Sequence, residues 1–259
     1  MRKKLTALFL TFCLALTPFA SAFAAGGETD QETVVEVASS NDLTEALQNG
    51  GSIKLTDSFT VSDRQNWTIT KDVVLDLNGC TIESTFGSSN YYLMTIQGAS
   101  LTIKDSSEAQ SGKIEATVSS GYGIQLRGNN SSFTLLGGTI ETHEETLDIY
   151  TITTGCSIQI EGGSLISTAD SVLNVRGEDT KVNITGGDLF SDGGCGIYVS
   201  NYGDTDSIEF NMSGGTLTHT SGRSGAIQMY KGATVTIGGD AVITSSNQVI
   251  QVQENCALN

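Results

Sequence analysis

The sequence predicts an all-β fold, a parallel β-helix in which short strands stack rung upon rung. Three observations favour this solenoid: a composition suited to turns and strands, a repeated unit of about 25 residues, and period-two alternation within each unit. Glycine accounts for 30 of 259 residues, and charged side chains make up only 16%. Such a composition is typical of short strands joined by tight turns and not of helices.

The repeated unit reads apolar-x-apolar-x-Gly-Gly-polar and is followed by isoleucine or leucine. This last residue is an apolar landmark that recurs at intervals of 26, 25, 24 and 28 residues, at Ile114, Ile140, Leu165, Leu189 and Leu217. A unit of this length cannot bury its own apolar face, whereas units stacked at the ~4.8 Å spacing of paired strands can. The sequence therefore predicts rungs of 24–28 residues, with the glycine pairs at corners where positive φ is needed.

A second alternating segment occurs in every unit. Its apolar members are predicted to face inward and its polar members outward, because successive side chains of a strand point to opposite faces. The predicted strands are 94–96, 124–126, 150–152, 173–175, 197–199, 227–229 and 250–252.

Residues 1–24 have the pattern of a secretory signal peptide. Three basic residues precede an apolar run, and Ala22, Phe23 and Ala24 form a small-x-small cleavage site. Removal of this segment takes the net charge from −16 to −19. So acidic a protein is excluded from binding nucleic acid or anionic lipid through basic patches. We expect a secreted protein, extracellular or at the cell surface, without membrane insertion.

Two segments precede the first rung. Residues 25–40 are polar and acidic and are expected to form a flexible leader. Residues 41–49 are predicted to form a short amphipathic helix, with Asn41 or Asp42 as its N-cap and Gly50-Gly51 at its end. This helix would cap the open end of a β-helix domain that spans residues 41–259.

The last residues of the sequence and the four cysteines that follow the signal peptide also fit the repeat. Residues 255–259 align with residues 155–159, so we expect a C-terminally truncated domain that belongs to a longer polypeptide beyond residue 259. In this register Cys156 and Cys256 lie four rungs apart, ~19 Å at strand spacing and beyond disulfide reach. Cys80 and Cys195 fall at different corners and rungs. Buried free thiols are therefore expected.

With these features the chain resembles the right-handed β-helix proteins of the pectate-lyase-like superfamily, and among them the adhesin-like bacterial surface proteins. The resemblance covers residues 41–259 and rests on the capping segment 41–51, the run 71–79 (KDVVLDLNG) and the Gly-Gly repeats. It implies a right-handed parallel β-helix. The catalytic motifs of the polygalacturonase-like members (Asn-Thr-Asp, Asp-Asp, Gly-His-Gly and Arg-Ile-Lys) do not occur, and the only proline lies in the signal peptide. The chain is therefore expected not to be an enzyme.

Three glutamates form the one arrangement of carboxylates that the repeat predicts. Glu83, Glu115 and Glu141 each follow the landmark isoleucine and should stack on successive rungs. Carboxylates ~5 Å apart repel one another and can share a proton or a calcium ion, so this column is a candidate metal site. The alternative is three solvated glutamates whose side chains splay apart. His143 and His219 are out of column with each other and are expected to be separate surface residues.

The outward face of the second strand is the candidate ligand-binding surface. Its first predicted column holds Thr95, Gln125, Thr151, Asn174, Tyr198, Gln228 and Gln251, and its second holds Gln97, Arg127, Thr153, Arg176, Ser200, Tyr230 and Gln253. Amides, arginines and tyrosines on a flat sheet suit a saccharide, and the two arginines could pair with uronate carboxylates. The alternative is that these side chains only solvate the sheet. The candidate residues are Gln125, Arg127, Asn174, Arg176, Tyr198, Gln228 and Tyr230.

Two functions of different classes follow from these features. The first is an exported, non-enzymatic module of a bacterial surface protein, serving as a stalk or as an adhesive surface toward polysaccharide or host glycans. The second is a divergent lyase or hydrolase that acts on acidic, pectin-like polysaccharide. No cofactor is expected, apart from calcium at the glutamate column.

Overall fold

A computed structural model describes residues 33–201, 207–253 and 256–259. In these ranges the chain forms one α-helix and 26 strands. The signal peptide and residues 25–32 of the expected leader lie outside them. In chain order the elements are β1 (Val34–Val37), α1 (Ser40–Asn49), β2 (Gly51–Leu55), β3 (Phe59–Val61), β4 (Trp67–Ile69), β5 (Val73–Asp76), β6 (Thr81–Ser84), β7 (Tyr92–Ile96), β8 (Ser100–Lys104), β9 (Lys113–Ala116), β10 (Tyr122–Leu126), β11 (Ser132–Leu135), β12 (Thr139–Thr142), β13 (Leu147–Ile149), β14 (Ser157–Ile160), β15 (Ser164–Ser167), β16 (Leu173–Val175), β17 (Lys181–Ile184), β18 (Asp188–Ser191), β19 (Ile197–Val199), β20 (Ile208–Met212), β21 (Thr216–His219), β22 (Ile227–Met229), β23 (Ala233–Ile237), β24 (Val242–Ser245), β25 (Ile250–Val252) and β26 (Ala257–Leu258).

The strands wind into a right-handed parallel β-helix of about eight turns, which confirms the predicted fold. Three parallel sheets form its walls over the described residues. Sheet I has the strand order β1-β2-β5-β8-β11-β14-β17-β20-β23-β26. Sheet II runs β3-β6-β9-β12-β15-β18-β21-β24, and sheet III runs β4-β7-β10-β13-β16-β19-β22-β25. The landmark residues stack as predicted in sheet II, where Ile114, Ile140, Leu165, Leu189 and Leu217 are paired in register.

The interior of the solenoid is a continuous apolar core. Most inward-facing isoleucine, leucine and valine side chains of the three sheets are almost completely buried. In one inward column of sheet I, Phe133 and Phe210 stand on either side of Ile158 and Val182. Each fully buried side chain of this size contributes about 1.5–3 kcal/mol. Because each rung buries its apolar face only against its neighbours, the stack forms one cooperative core.

One inward-facing column of sheet II is polar, and its side chains form hydrogen bonds with the turns that lead into sheet III. Ser167 Oγ donates to the carbonyl of Glu144 at 2.8 Å, and Ser191 Oγ donates to the carbonyl of Asp170 at 2.8 Å. His219 continues the same column, with Nε2 3.3 Å from the carbonyl oxygen of Gly193. His219 is buried, so its prediction as a surface residue is wrong. The imidazole is held inside because a turn carbonyl there needs a donor.

The glycine pairs lie at the corner between sheets I and II, as predicted. Gly163 has φ of 74°, and a Cβ added there would lie 2.5 Å from the carbonyl oxygen of Gly138 one rung away. Both the left-handed backbone and the close approach of successive corners exclude a side chain.

Another corner is stabilised by a carboxylate. Residues 105–112 form a long turn between β8 and β9. Asp105 Oδ1 accepts hydrogen bonds from the backbone N–H of Gly79 at 2.8 Å and of Ser107 at 3.0 Å, and its Oδ2 accepts from Gly112. Burial opposes ionisation of Asp105, but these backbone donors outweigh it and lower the pKa of this carboxyl group below its usual value.

The helix caps the first rungs, and Gly50 ends it with φ of 74°. Its N-cap is Ser39, not Asn41 or Asp42, because the Ser39 hydroxyl accepts from the N–H of Asp42. The leader is also shorter than expected, since β1 (Val34–Val37) pairs in parallel with β2 and extends sheet I. No helix in the described ranges is long and apolar enough to span a bilayer.

The cysteines form no disulfide in the part of the chain that the structure describes. Cys156 and Cys195 are buried, as expected, whereas Cys80 and Cys256 are only partly buried. Burial raises the pKa of the Cys195 thiol to about 11, so this thiol is protonated at neutral pH.

Candidate functional site

The candidate surface lies on the outer face of sheet III, and its register differs from the prediction on one rung. The central outward column is formed by Thr95, Gln125, Asp148, Asn174, Tyr198, Gln228 and Gln251. Asp148 takes the place predicted for Thr151, because strand β13 is Leu147–Ile149 and not residues 150–152. Leu147 and Ile149 are fully buried, whereas Ile152 is 80% exposed in the following turn. Tyr150 accordingly takes the place predicted for Thr153 in the second column.

Asp148 is the centre of a buried polar network. Its side chain faces outward from the sheet, yet it is 0% exposed. Its carboxylate accepts from Gln125 Nε2 at 2.8 Å and from Arg176 Nε at 3.0 Å, and it also contacts Arg176 Nη2. Burial and the negative charge of Asp148 raise the pKa of Tyr92, so this phenol stays protonated and donates to the carboxylate.

The ion pair changes the role predicted for Arg176. Two guanidinium nitrogens of Arg176, Nε and Nη2, bind Asp148, so this edge of the guanidinium is not available to a uronate. Because the Asp148 side chain is fully buried and that of Arg176 is 24% exposed, the pair is a fixed part of the wall. Its two charges cancel at short range.

Glu145 adds a second carboxyl group beside this network. Its Oε1 accepts from Asn174 Nδ2 at 3.0 Å, whereas its Oε2 is buried and has no hydrogen-bond partner. Burial, reinforced by the negative charge of Asp170, raises the pKa of Glu145 to about 7. Carboxylate oxygens of Glu144, Glu145 and Asp170 lie within 4.8 Å of one another, the one such trio among the described residues.

A shallow groove of about 300 Å³ opens next to these groups. It is lined by Asp170, Ser171, Asn174, Arg176, Gly194, Cys195, Tyr198, Ser224 and Gln228. The ring of Tyr198 packs on that of Tyr230, with centroids 5.0 Å apart and planes inclined at 38°. Gln228 Nε2 donates to Gln251 Oε1 at 2.9 Å, so the amides along the column are held in place by one another.

Aromatic side chains flank the polar centre along the solenoid as well. Tyr92 packs on Tyr122 with ring centroids 5.1 Å apart, toward the N-terminal end of the network. The guanidinium of Arg127 lies 5.1 Å from the ring centroid of Tyr150, a cation–π contact on the other edge of sheet III. Aromatic rings therefore lie beside the polar centre on several rungs of sheet III.

The structure brings together most of the predicted candidates. Asn174, Arg176, Tyr198 and Gln228 line one groove, and Tyr230 packs against its tyrosine. Gln125 is instead buried within the network, where it donates to Asp148, and Arg127 packs on Tyr150 outside the groove lining. The sequence reasoning missed the acidic residues Glu145, Asp148 and Asp170. The signal for Asp148 was present in the sequence, because Leu147 and Ile149 alternate with it as a strand requires.

The glutamate column has the predicted register but a different environment. Glu83, Glu115 and Glu141 pair on successive strands of sheet II. Lys113 Nζ binds Glu115 Oε2 at 3.1 Å and Glu141 Oε2 at 2.7 Å, so an ammonium group occupies the place considered for a cation. Glu83 Oε2 accepts from the Thr60 hydroxyl at 3.1 Å. The column is thus an ion-paired surface ladder, and the three glutamates do not form a close carboxylate cluster.

Comparison of the chain with protein-family models, with curated proteins and with solved structures finds no match. The functional assignment therefore depends on the geometry of sheet III.

Proposed function

We propose that this chain is an exported, non-enzymatic module of a bacterial surface protein that binds saccharides in the groove of sheet III. One observation carries the proposal. Asn174, Arg176 and Gln228 line a groove of about 300 Å³ together with Tyr198, whose ring packs on that of Tyr230. The β-helix itself fits a structural or binding module.

The chemistry of the groove suits a sugar ring. The face of Tyr198 or Tyr230 gives an apolar platform for the C–H groups of a pyranose, while amide, hydroxyl and guanidinium groups meet its hydroxyls. Hydrogen bonds between neighbouring rungs hold these side chains before a ligand arrives, so little side-chain entropy is lost on binding. Since rungs repeat every ~4.8 Å, a chain of sugars lying along the solenoid meets a new row of side chains at each rung.

Calorimetric titration with a panel of oligosaccharides tests this proposal. We expect at least one to bind, and we expect Tyr198→Ala to weaken that binding at least 10-fold. The matched control is Phe190→Ala, because Phe190 is a partly buried aromatic residue on the outer face of sheet II. Absence of binding across the panel, or an equal loss in Phe190→Ala, contradicts the proposal.

Export is supported by the pattern of residues 1–24. Expression of the full chain in a bacterium and N-terminal sequencing of the exported product tests it. We expect a mature N-terminus directly after Ala24. Recovery of the chain in the cytoplasm with residues 1–24 retained would contradict export.

A second candidate function, cleavage of a glycan, is favoured by Glu145. A carboxyl group with a pKa of about 7 can donate or accept a proton near neutral pH, and Asp148 and Asp170 lie beside it. Release of new reducing ends from polysaccharides by the folded protein, lost in Glu145→Gln, would establish this activity. We expect no release, in agreement with a binding module.

A further inference from the structure

The charge of the groove identifies the class of saccharide that it can accept. Arg176 is the one basic residue in the groove lining, and its charge is balanced by the buried carboxylate of Asp148. Asp170 lines the same groove, and within the described residues it forms no salt bridge with a basic side chain. The groove therefore carries a net negative charge, within a chain whose net charge is −16.

The hydrogen-bonding groups of the groove agree with this charge. Asn174 Nδ2 already donates to Glu145 Oε1 at 3.0 Å, and Gln228 Nε2 donates to Gln251 Oε1 at 2.9 Å. Each amide nitrogen therefore already donates one hydrogen bond within the protein, and two guanidinium nitrogens of Arg176 bind Asp148. Acceptor oxygens are consequently in excess, and they favour a ligand that is rich in donors.

We propose that the groove binds an amine-bearing saccharide, a hexosamine unit whose ammonium group lies beside Asp170, and that it discriminates against uronates. This inference rests on the proposed function, because it specifies the ligand of the same groove. An ammonium group offers three N–H donors and forms short, charge-assisted hydrogen bonds to a carboxylate. The ring face of Tyr198, which lines the same groove, is also a favourable neighbour for a cation.

A uronate is disfavoured in the same place. Its carboxylate would meet that of Asp170, and no uncompensated basic side chain of the groove lining could offset that repulsion. The acidic, pectin-like polysaccharide considered in the sequence analysis is thus a poor ligand for this surface, although it is what the resemblance to pectate-lyase-like proteins implies.

Three tetrasaccharides that differ in charge test the inference. Calorimetric titrations at pH 6 and low salt would compare β-1,4-linked glucosamine, its fully N-acetylated counterpart and α-1,4-linked galacturonate. We expect the free amine to bind at least 10-fold more tightly than the N-acetylated ligand, and the galacturonate not to bind. Sodium chloride at 0.5 M should reduce the preference for the amine, because salt screens the charge.

The Asp170→Asn variant tests whether Asp170 causes the preference for the amine-bearing ligand. Asp170→Asn keeps an oxygen for the N–H of Ser171, which Asp170 Oδ1 binds at 2.7 Å, and removes the charge. We expect the variant to bind the two glucosamine ligands with similar affinity. Asp192→Asn is the matched control, since Asp192 is an exposed carboxylate outside the groove lining and the variant should keep the preference.

The outcomes separate this inference from the proposed function. Equal binding of the amine and the N-acetylated ligand by the wild-type protein, or binding of galacturonate, overturns the inference and leaves saccharide binding intact. If none of the three ligands nor any other oligosaccharide binds, the proposed function fails and the inference fails with it.

Discussion

Substitution of Asp148 by asparagine tests whether the network under the groove is a buried ion pair. The carboxylate of Asp148 is 0% exposed and binds Gln125 and Arg176. Asparagine has nearly the same shape but no charge, so the variant leaves the guanidinium without its counter-ion. The cost then measures the electrostatic role of Asp148 and not a cavity.

The expected cost is large. Removing one partner of a buried ion pair destabilises a protein by about 3–5 kcal/mol. The Arg176 side chain is 24% exposed and can partly rehydrate, so we expect the lower end, about 3 kcal/mol. With a urea m value of about 3 kcal/mol/M, the unfolding midpoint falls by about 1 M. Circular dichroism during urea unfolding measures this shift.

A surface ion pair of the same solenoid is the control. Lys181 Nζ lies 3.4 Å from Glu209 Oε2, and the two side chains are 66% and 58% exposed. Glu209→Gln should therefore cost less than about 1 kcal/mol. If Asp148→Asn costs no more than this control, the reasoning about the buried network is wrong. The double variant Asp148→Asn/Arg176→Met should recover part of the loss, because it leaves no unpaired charge.

Three further predictions concern the pH dependence of stability and the corners of the solenoid. Burial raises the pKa of Glu145 to about 7, so ionisation of this group opposes folding as the pH rises from about 4.5 to 7. Glu145→Gln should therefore stabilise the protein by roughly 1–2 kcal/mol at pH 8, after allowance for solvent screening, and hardly at all at pH 4. Gly163→Ala should cost about 1–3 kcal/mol in urea unfolding, because φ is 74° and the new Cβ would lie 2.5 Å from a carbonyl oxygen, whereas Gly222→Ala, with no atom within 4 Å of the added Cβ, should change stability by less than about 0.5 kcal/mol. Asp105→Asn should lose about 2–3 kcal/mol at pH 7, and this loss should shrink in strong acid, because the native pKa of Asp105 is lowered and its contribution disappears as the pH falls through that value. Equal destabilisation by the two glycine variants, or stability changes that do not depend on pH in the two carboxyl variants, would contradict these arguments.

The fold could be predicted because every unit repeats the same physical requirement. A corner that excludes a Cβ needs glycine, and an inward position needs an apolar side chain, so both recur in the sequence at the rung period. The landmark column from Ile114 to Leu217 is in register in sheet II as predicted. Strand β1 was missed because it lies before the first glycine landmark and leaves Val34 and Val35 exposed.

The candidate site was predicted only in part, because burial of an outward-facing side chain is not a periodic signal. Alternation indicates that Gln125 and Asn174 face outward, but it does not show that neighbouring rungs cover them. Around Asp148 two alternating patterns overlap, 147–149 and 150–152, and only packing decides between them. Packing selects 147–149 as the strand, because Leu147 enters the core while the ring of Tyr150 packs against Arg127 at the surface.

Chemical-shift mapping by NMR tests the central claim, that the groove of sheet III is a saccharide-binding site, most directly. The ¹⁵N-labelled protein would be titrated in turn with each oligosaccharide of the panel, with the exposed face of sheet II as the internal reference. We expect saturable shifts confined to β13, β16, β19, β22 and the turns beside them, with the side-chain amides of Asn174 and Gln228 among the largest. Shifts that concentrate on sheet II, or no shift at millimolar ligand, would contradict the claim.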